Sequence, residues 1–385
     1  MAAQHFDTSA AILYALGSNG SGQLGIGRTD DVARPQRCLF RCLKPGNQHE
    51  NIEGEGIPFK VKEIVAGGNH TLLLTFDGRI FTAGKISPGE DGVSAEFQER
   101  QIYIDATSGP GIVSHIAATW EASFFVVDGN SVYVCGSGAK GELGLGKDVV
   151  EAKRLTKVLD VADKVGDTAL GRDQNNEIVA ISACMSHAVV FTSDGRVFGW
   201  GSCRKGQLGD EAKPDKALWR PRRIDVGLPF RPEKVVVGRD YTVFLRTGKT
   251  PLIWGSMKDF DERVLQYSLQ AGDIVVSGWS SIHILSSAHV ISTGKNHRGQ
   301  LPPADLPPLR ALAAGSEHCI GLAHDGQIVA WGWGEHGNCG EKLDLTGYVA
   351  DQWNAIPLPW IDGGIHVRTV AAGCATSFVV CERDT

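Results

Sequence analysis

The chain has 385 residues, 42% of them hydrophobic and 21% charged, with 38 Lys and Arg against 44 Asp and Glu for a formal net charge of −6. That balance argues against a disordered chain and gives no global attraction for nucleic acid or an anionic membrane surface, and no run of about 18 apolar residues is present to span a bilayer. Glycine, at 48 residues, stands well above the usual share of roughly 7% and predicts many tight turns and hence many short strands.

The N-terminal stretch MAAQHFDTSAAILYALG lacks a charged region followed by a long apolar one, which argues against a secretory signal. Nine cysteines, an odd number set in apolar contexts such as Cys135, Cys184, Cys319, Cys374 and Cys381, suit a reducing compartment better than a disulfide framework. The glycosylation sequons at Asn19 and Asn69 are then read as chance. ILYALGSNGSGQLGIG, residues 12–27, has the form of a closing strand and an exit turn with no preceding hairpin of its own.

A repeat begins at 61–85, VKEIVAGGNHTLLLTFDGRIFTAGK, and returns at 178–202 and 309–333. Each copy has an apolar strand, a small-residue corner, a His (His70, His187, His318), a second strand, Asp-Gly, and a third strand ending in Gly. Asp77-Gly78, Asp194-Gly195 and Asp325-Gly326, set between apolar runs, predict hairpins with two-residue turns at positive φ. Weaker copies occupy 116–137, 235–256 and 275–295, and a seventh, 367–381, runs out before its outer strand.

Copies that bury one face only when stacked on neighbours predict an all-β, seven-bladed β-propeller. Strand 12–17 is expected to complete the C-terminal blade 367–381, closing one domain over 1–385 and removing an open sheet edge. Exit turns follow the third strands at Gly17, Gly136, Gly201, Gly294 and Gly332, with Leu24, Leu143, Leu208 and Leu301 as plugs between blades. This accounts for Gly332, Gly334 and Gly337 in AWGWGEHGNCG (330–340): no helical pattern follows the Gly-x-Gly-x-x-Gly, so it lacks the context of a dinucleotide site. Segments 86–111, 145–177 and 341–366 have no repeat counterpart.

The repeated Gly-Gln-Leu-Gly after a Trp-Gly strand end resembles the regulator of chromosome condensation family of seven-bladed propellers. YALGSNGSGQLGIG, GWSSIHIL (278–285) and the stretch 315–340 are similar to the fungal alpha-tubulin suppressor, or killer-toxin insensitivity, branch. That resemblance implies a non-catalytic adaptor forming a heterodimer with a small CSL-type zinc-finger protein, an electron carrier holding iron or zinc. The pair would support diphthamide formation and Elongator-dependent tRNA wobble uridine modification, in cytoplasm and nucleus. The alternative is a guanine nucleotide exchange factor for a small GTPase; a ubiquitin-ligase module would need a catalytic domain for which the blades leave no room.

The residues place no catalytic group and no intrinsic cofactor or metal. No Cys-x-x-Cys occurs, and Cys38 and Cys42 have no matching second half; the repeated histidines are read as structural, bonded to neighbouring backbone. Neither direct nucleic-acid binding nor a membrane role is expected. Trp200, Trp254 and Trp331 precede the strand-end Gly and are expected in the core. Trp120 and Trp279 instead follow the corner, where sibling blades carry Gly68, Arg239 or Ser316. With Arg239, and with Trp333, Glu335 and His336 at the blade-six exit, they are the candidate partner-binding residues.

Overall fold

The computed structural model describes residues 11–44, 48–51, 57, 59–86, 93–104, 109–162, 176–359 and 364–383. The N-terminal stretch 1–10 and parts of the three connecting segments, 87–92, 105–108, 163–175 and 360–363, lie outside the described residues. The rest folds into seven antiparallel-based sheets arranged as blades of a β-propeller. Blade one is built on Val61–Ala66, His70–Thr75 and Ile80–Gly84; blade two on Val113–Ala118, Ala122–Val127 and Ser131–Ser137; blade three on Ile178–Cys184, His187–Thr192 and Val197–Ser202. Blade four uses Lys234–Val237, Tyr241–Leu245 and Leu252–Gly255; blade five Ile274–Ser277, Ser281–Ser286 and His289–Gly294; blade six Leu309–Ala314, His318–Ala323 and Ile328–Trp333. Each first strand touches the next around the hub, and that of blade seven, Ile365–Ala372, touches that of blade one.

Closure follows the expected route. Ala11–Gly17 is buried along its whole length and pairs with Thr376–Arg383 from Ala11 opposite Glu382 to Gly17 opposite Thr376. Seven consecutive buried residues, most of them apolar, fit the middle of a sheet covered on both faces, and Val32–Arg37 then adds an outer strand.

Two expectations need correction. The Asp-Gly hairpins are three-residue loops: the Gly78 amide donates to the Thr75 carbonyl at 3.1 Å, and positive φ falls on Gly78 (82°) but not on Asp77. Gly195 and Gly326 do the same with Thr192 and Ala323. This is the turn-plus-bulge hairpin with a left-handed final residue, where glycine meets no steric penalty. The connecting segments, moreover, carry the fourth strands Ser94–Arg100, Glu151–Asp160 and Tyr348–Ala355 of blades one, two and six. Their outer faces meet water, so Glu151–Asp160 alternates charge with only two buried residues and does not look like its apolar siblings.

The exit turns wedge between blades. Leu24, Leu143 and Leu208 are buried, whereas Leu301 is half-buried where Pro302 replaces the following glycine. The indole of Trp200 donates to the Glu142 carbonyl of the preceding turn at 2.8 Å, and that of Trp331 to Gln300 at 3.1 Å. Trp254 is only half-buried, in keeping with its position in a blade of three strands.

Candidate functional site

Antiparallel pairing puts the corner between first and second strands at the same end of the blade as the exit of the third. His70 lies opposite Gly84, and His318 opposite Gly332. A recurring bond fixes this: the amide after the strand-end glycine donates to the carbonyl just before the second strand, Ser18 to Ala375 at 2.8 Å, Ser202 to Ser186 at 2.8 Å and Trp333 to Glu317 at 2.9 Å. All corners and exit turns therefore share one face of the disc, a point residue counting leaves open.

At the centre of that face the corners bond to one another. The amide of Gly68 donates to the Trp120 carbonyl (2.8 Å), Trp120 to Met185 (3.3 Å), Arg239 to Trp279 (3.0 Å), Trp279 to Ser316 (2.8 Å) and Ser316 to Gly373 (3.1 Å). This annulus surrounds the mouth of a central cavity of about 330 Å³ lined by the first strands of all seven blades. Further down, side chains lace the inner strands: Ser182 Oγ donates to Val235 O (2.8 Å), Lys234 Nζ to Val275 O (3.0 Å) and Arg310 Nη2 to Val367 O (2.6 Å). The unpaired inner edges are thereby occupied from within.

Trp120 and Trp279 both line the cavity, and their rings meet at 5.9 Å between centroids, tilted by 50°. Blades two and five lie three places apart in the ring, so the indoles reach across the mouth toward each other. Trp120 also lies against Gly68, where any Cβ would strike its ring, yet it remains 39% exposed. Neither tryptophan is needed by the repeat, since Gly68, Met185, Arg239, Ser316 and Cys374 serve in its place elsewhere. Arg239, beside Trp279 in the annulus, is held by Asp240 at 3.0 Å.

A second cluster sits at the exit of blade six. Trp333 ends the third strand and is half-buried. The Arg298 guanidinium lies over its ring at 5.2 Å, and His336 meets it edge-on at 5.2 Å. His336 Nδ1 is 2.7 Å from Asp31 Oδ2, and Asp31 also accepts from the Asn19 amide, tying the turns of blades six and seven. Glu335 is exposed. The six sequence-predicted residues thus share one face, in a central group (Trp120, Trp279, Arg239) and a rim group (Trp333, Glu335, His336). Sequence reading missed Arg298 as a clamp on Trp333, because the contact joins two blades.

The repeated histidines, expected to bond backbone, differ: His187 and His318 meet the backbone of Tyr241 and Thr376 and also a hydroxyl of the next blade, whereas both ring nitrogens of His70 are buried without a hydrogen-bond partner among the described residues. His187 Nε2 pairs with Thr242 Oγ1 of the next blade (3.2 Å), which donates to the Gln207 carbonyl (2.7 Å). His318 Nε2 pairs with Ser377 Oγ (3.0 Å), which donates to Asn338 O (2.9 Å). The chain from ring to hydroxyl to exit turn clasps adjacent blades. Burial pushes the pKa of His70, His187, His283 and His318 down to about 4, so each is neutral at physiological pH. Among the described residues no group of three or more His, Cys, Asp or Glu converges as metal ligands.

The family model of the regulator of chromosome condensation (RCC1) repeat matches residues 12–74 and 194–245. Prp20p of Saccharomyces cerevisiae, with binding properties to Gsp1p and histones, superposes with a TM-score of 0.72 at 18% identity over 98% of this chain and 93% of its own. Two stretches of the chain thus match the RCC1 repeat, and the whole has the fold of a seven-bladed propeller such as Prp20p. An RCC1 repeat-containing protein of Schizosaccharomyces pombe is 28% identical over 97% of this propeller and 99% of its own length. The secretion-regulating guanine nucleotide exchange factor of Bos taurus is 25% identical over 97% and 84%. No helix among the described residues is long and apolar enough to cross a membrane.

Proposed function

We propose that this RCC1-like propeller is a non-catalytic adaptor whose corner face docks a small CSL-type zinc-finger protein, itself the carrier of iron or zinc, in support of diphthamide formation and Elongator-dependent tRNA modification. The observation that carries the reading is the Trp120–Trp279 pair, two large aromatics meeting over the cavity mouth where no other corner is aromatic. Buried aromatic anchors of this kind supply most of the energy of an interface, while surrounding polar groups set its register. Trp333, clamped by Arg298 and His336, is a second anchor whose rotamer is already fixed, which lowers the entropic cost of binding.

Replacing Trp120 and Trp279 together by Ala is expected to weaken capture of the CSL-type protein by at least about tenfold, since a hot-spot residue contributes 2 kcal/mol or more. The thermal midpoint should move little, because neither indole belongs to an inter-blade core. Undiminished capture removes these residues from the interface.

A second reading, guanine nucleotide exchange on a small GTPase, is favoured by the similarity to the secretion-regulating exchange factor across most of both chains. Accelerated nucleotide release from a GTPase, lost in the same double variant, would support it over the adaptor reading.

A further inference from the structure

In blades two to seven the tips of the exit turns, from each strand-end glycine to the residue five places on, differ sharply in charge around the rim. Blades two to five present Lys140, Arg204, Lys205, Lys258, Lys295 and Arg298 against one carboxylate, Asp259. Blades six and seven present only Glu335, with His336 bound to Asp31. Of the cations, Lys295 is 3.9 Å from Asp259 and Arg298 lies on Trp333; Lys140, Arg204, Lys205 and Lys258 are exposed. Just beyond the turns Asp210 pairs with Lys213 and Asp261 with Arg263 at 2.7 Å, while Glu211 and Glu262 are exposed. Glu121 and the paired Asp240 stand at the hub. A chain of net charge −6 thus places a basic crescent around an aromatic centre on one face.

We infer that this crescent recognises an acidic protein surface, steering it so that its apolar patch lands on Trp120 and Trp279. The inference rests on the docking face proposed above and adds the chemistry of the partner. A complementary charge arc accelerates encounter by 10-fold or more at low salt and fixes rotation about the docking axis, while the aromatic centre sets dissociation. The carboxylates of blade six and of the hub leave the rest of the face without attraction for anions, so a folded partner with an acidic arc and a neutral or basic remainder fits.

The test is a quadruple reversal, K140E, R204E, K205E and K258E, all at exposed tips, with circular dichroism and the thermal midpoint verifying the fold. Stopped-flow association with recombinant CSL-type protein at about 50 mM salt should slow by roughly tenfold or more, with dissociation changed little. The difference should vanish near 1 M salt, where the screening length falls to about 3 Å. An unchanged association rate, alongside lost binding in the Trp120/Trp279 variant, overturns the charge inference and leaves the adaptor reading standing. If the CSL-type protein does not bind the unmodified propeller, the adaptor reading fails and the inference is judged with poly-glutamate and poly-uridylate. Salt-sensitive binding of poly-glutamate that the reversal abolishes supports it; preference for poly-uridylate, or binding of neither, overturns it.

Discussion

The corner glycines show how one missing Cβ shapes a blade. Gly67 and Gly315 lie where a Cβ would run into the ring of His70 and His318 in their own blades, and Gly238 stands in the same relation to Tyr241. The glycine leaves room for the ring, and the ring reaches the next blade: Tyr241 Oη donates to Gly278 O at 2.9 Å. Gly315→Ala is therefore expected to cost about 1–3 kcal/mol through overpacking, seen as a lowered denaturant midpoint. Gly20→Ala, with nothing within 4 Å of its built Cβ, should be neutral within about 0.5 kcal/mol. The small-residue corner is plain in the sequence, but its reason is not, because the conflicting ring stands three residues on and only folding brings the two together. Asn19 carries the same lesson, as a sequon whose side chain is wholly buried and donates to Arg28 O (2.7 Å) and Asp30 O (3.1 Å).

Among the elements, the second strand of each blade is the most legible and the fourth the least. His187–Thr192 is buried throughout because both faces meet neighbouring blades, so its apolar run announces itself, whereas an outer strand such as Glu151–Asp160 answers mainly to water. Contacts between blades are hidden for another reason: Trp120 and Trp279 are 159 positions apart, and only the curvature of the ring makes them neighbours. The clasp from His187 through Thr242 to Gln207 joins two strands and an exit turn that never adjoin in the chain. Thr242→Val, which keeps the shape and deletes the hydroxyl, leaves a buried imidazole nitrogen and a carbonyl without that partner. A loss of about 1–3 kcal/mol is expected in equilibrium unfolding, with Thr242→Ser restoring most of it.

For the whole molecule, buried neutral histidines in three blades and a fourth, His283, in blade five bind fewer protons than they would in the unfolded chain. Stability should fall as pH drops from about 6.5 toward the folded value of about 4, by as much as about 1.4 kcal/mol per pH unit for each fully buried ring. Glu63 acts in the opposite sense: burial raises its carboxyl to about 7, so its folded form retains a proton that the unfolded chain releases and its contribution declines as pH rises from about 4.5 to 7. Burial raises Glu142 too, but four rings outweigh two carboxyls, and thermal midpoints recorded from pH 7 to pH 4.5 should decrease steadily; a flat profile contradicts neutral buried rings. The closed ring was legible because both its ends read as parts of a single blade. That seam also governs how the protein can be made: the strand Ala11–Gly17 is synthesised long before its partner Thr376–Arg383. Until then Ala11–Gly17, seven residues destined for the inside of a sheet, waits without cover as an aggregation hazard, and slowing translation of the final blade should increase the fraction that clumps before the circle is complete.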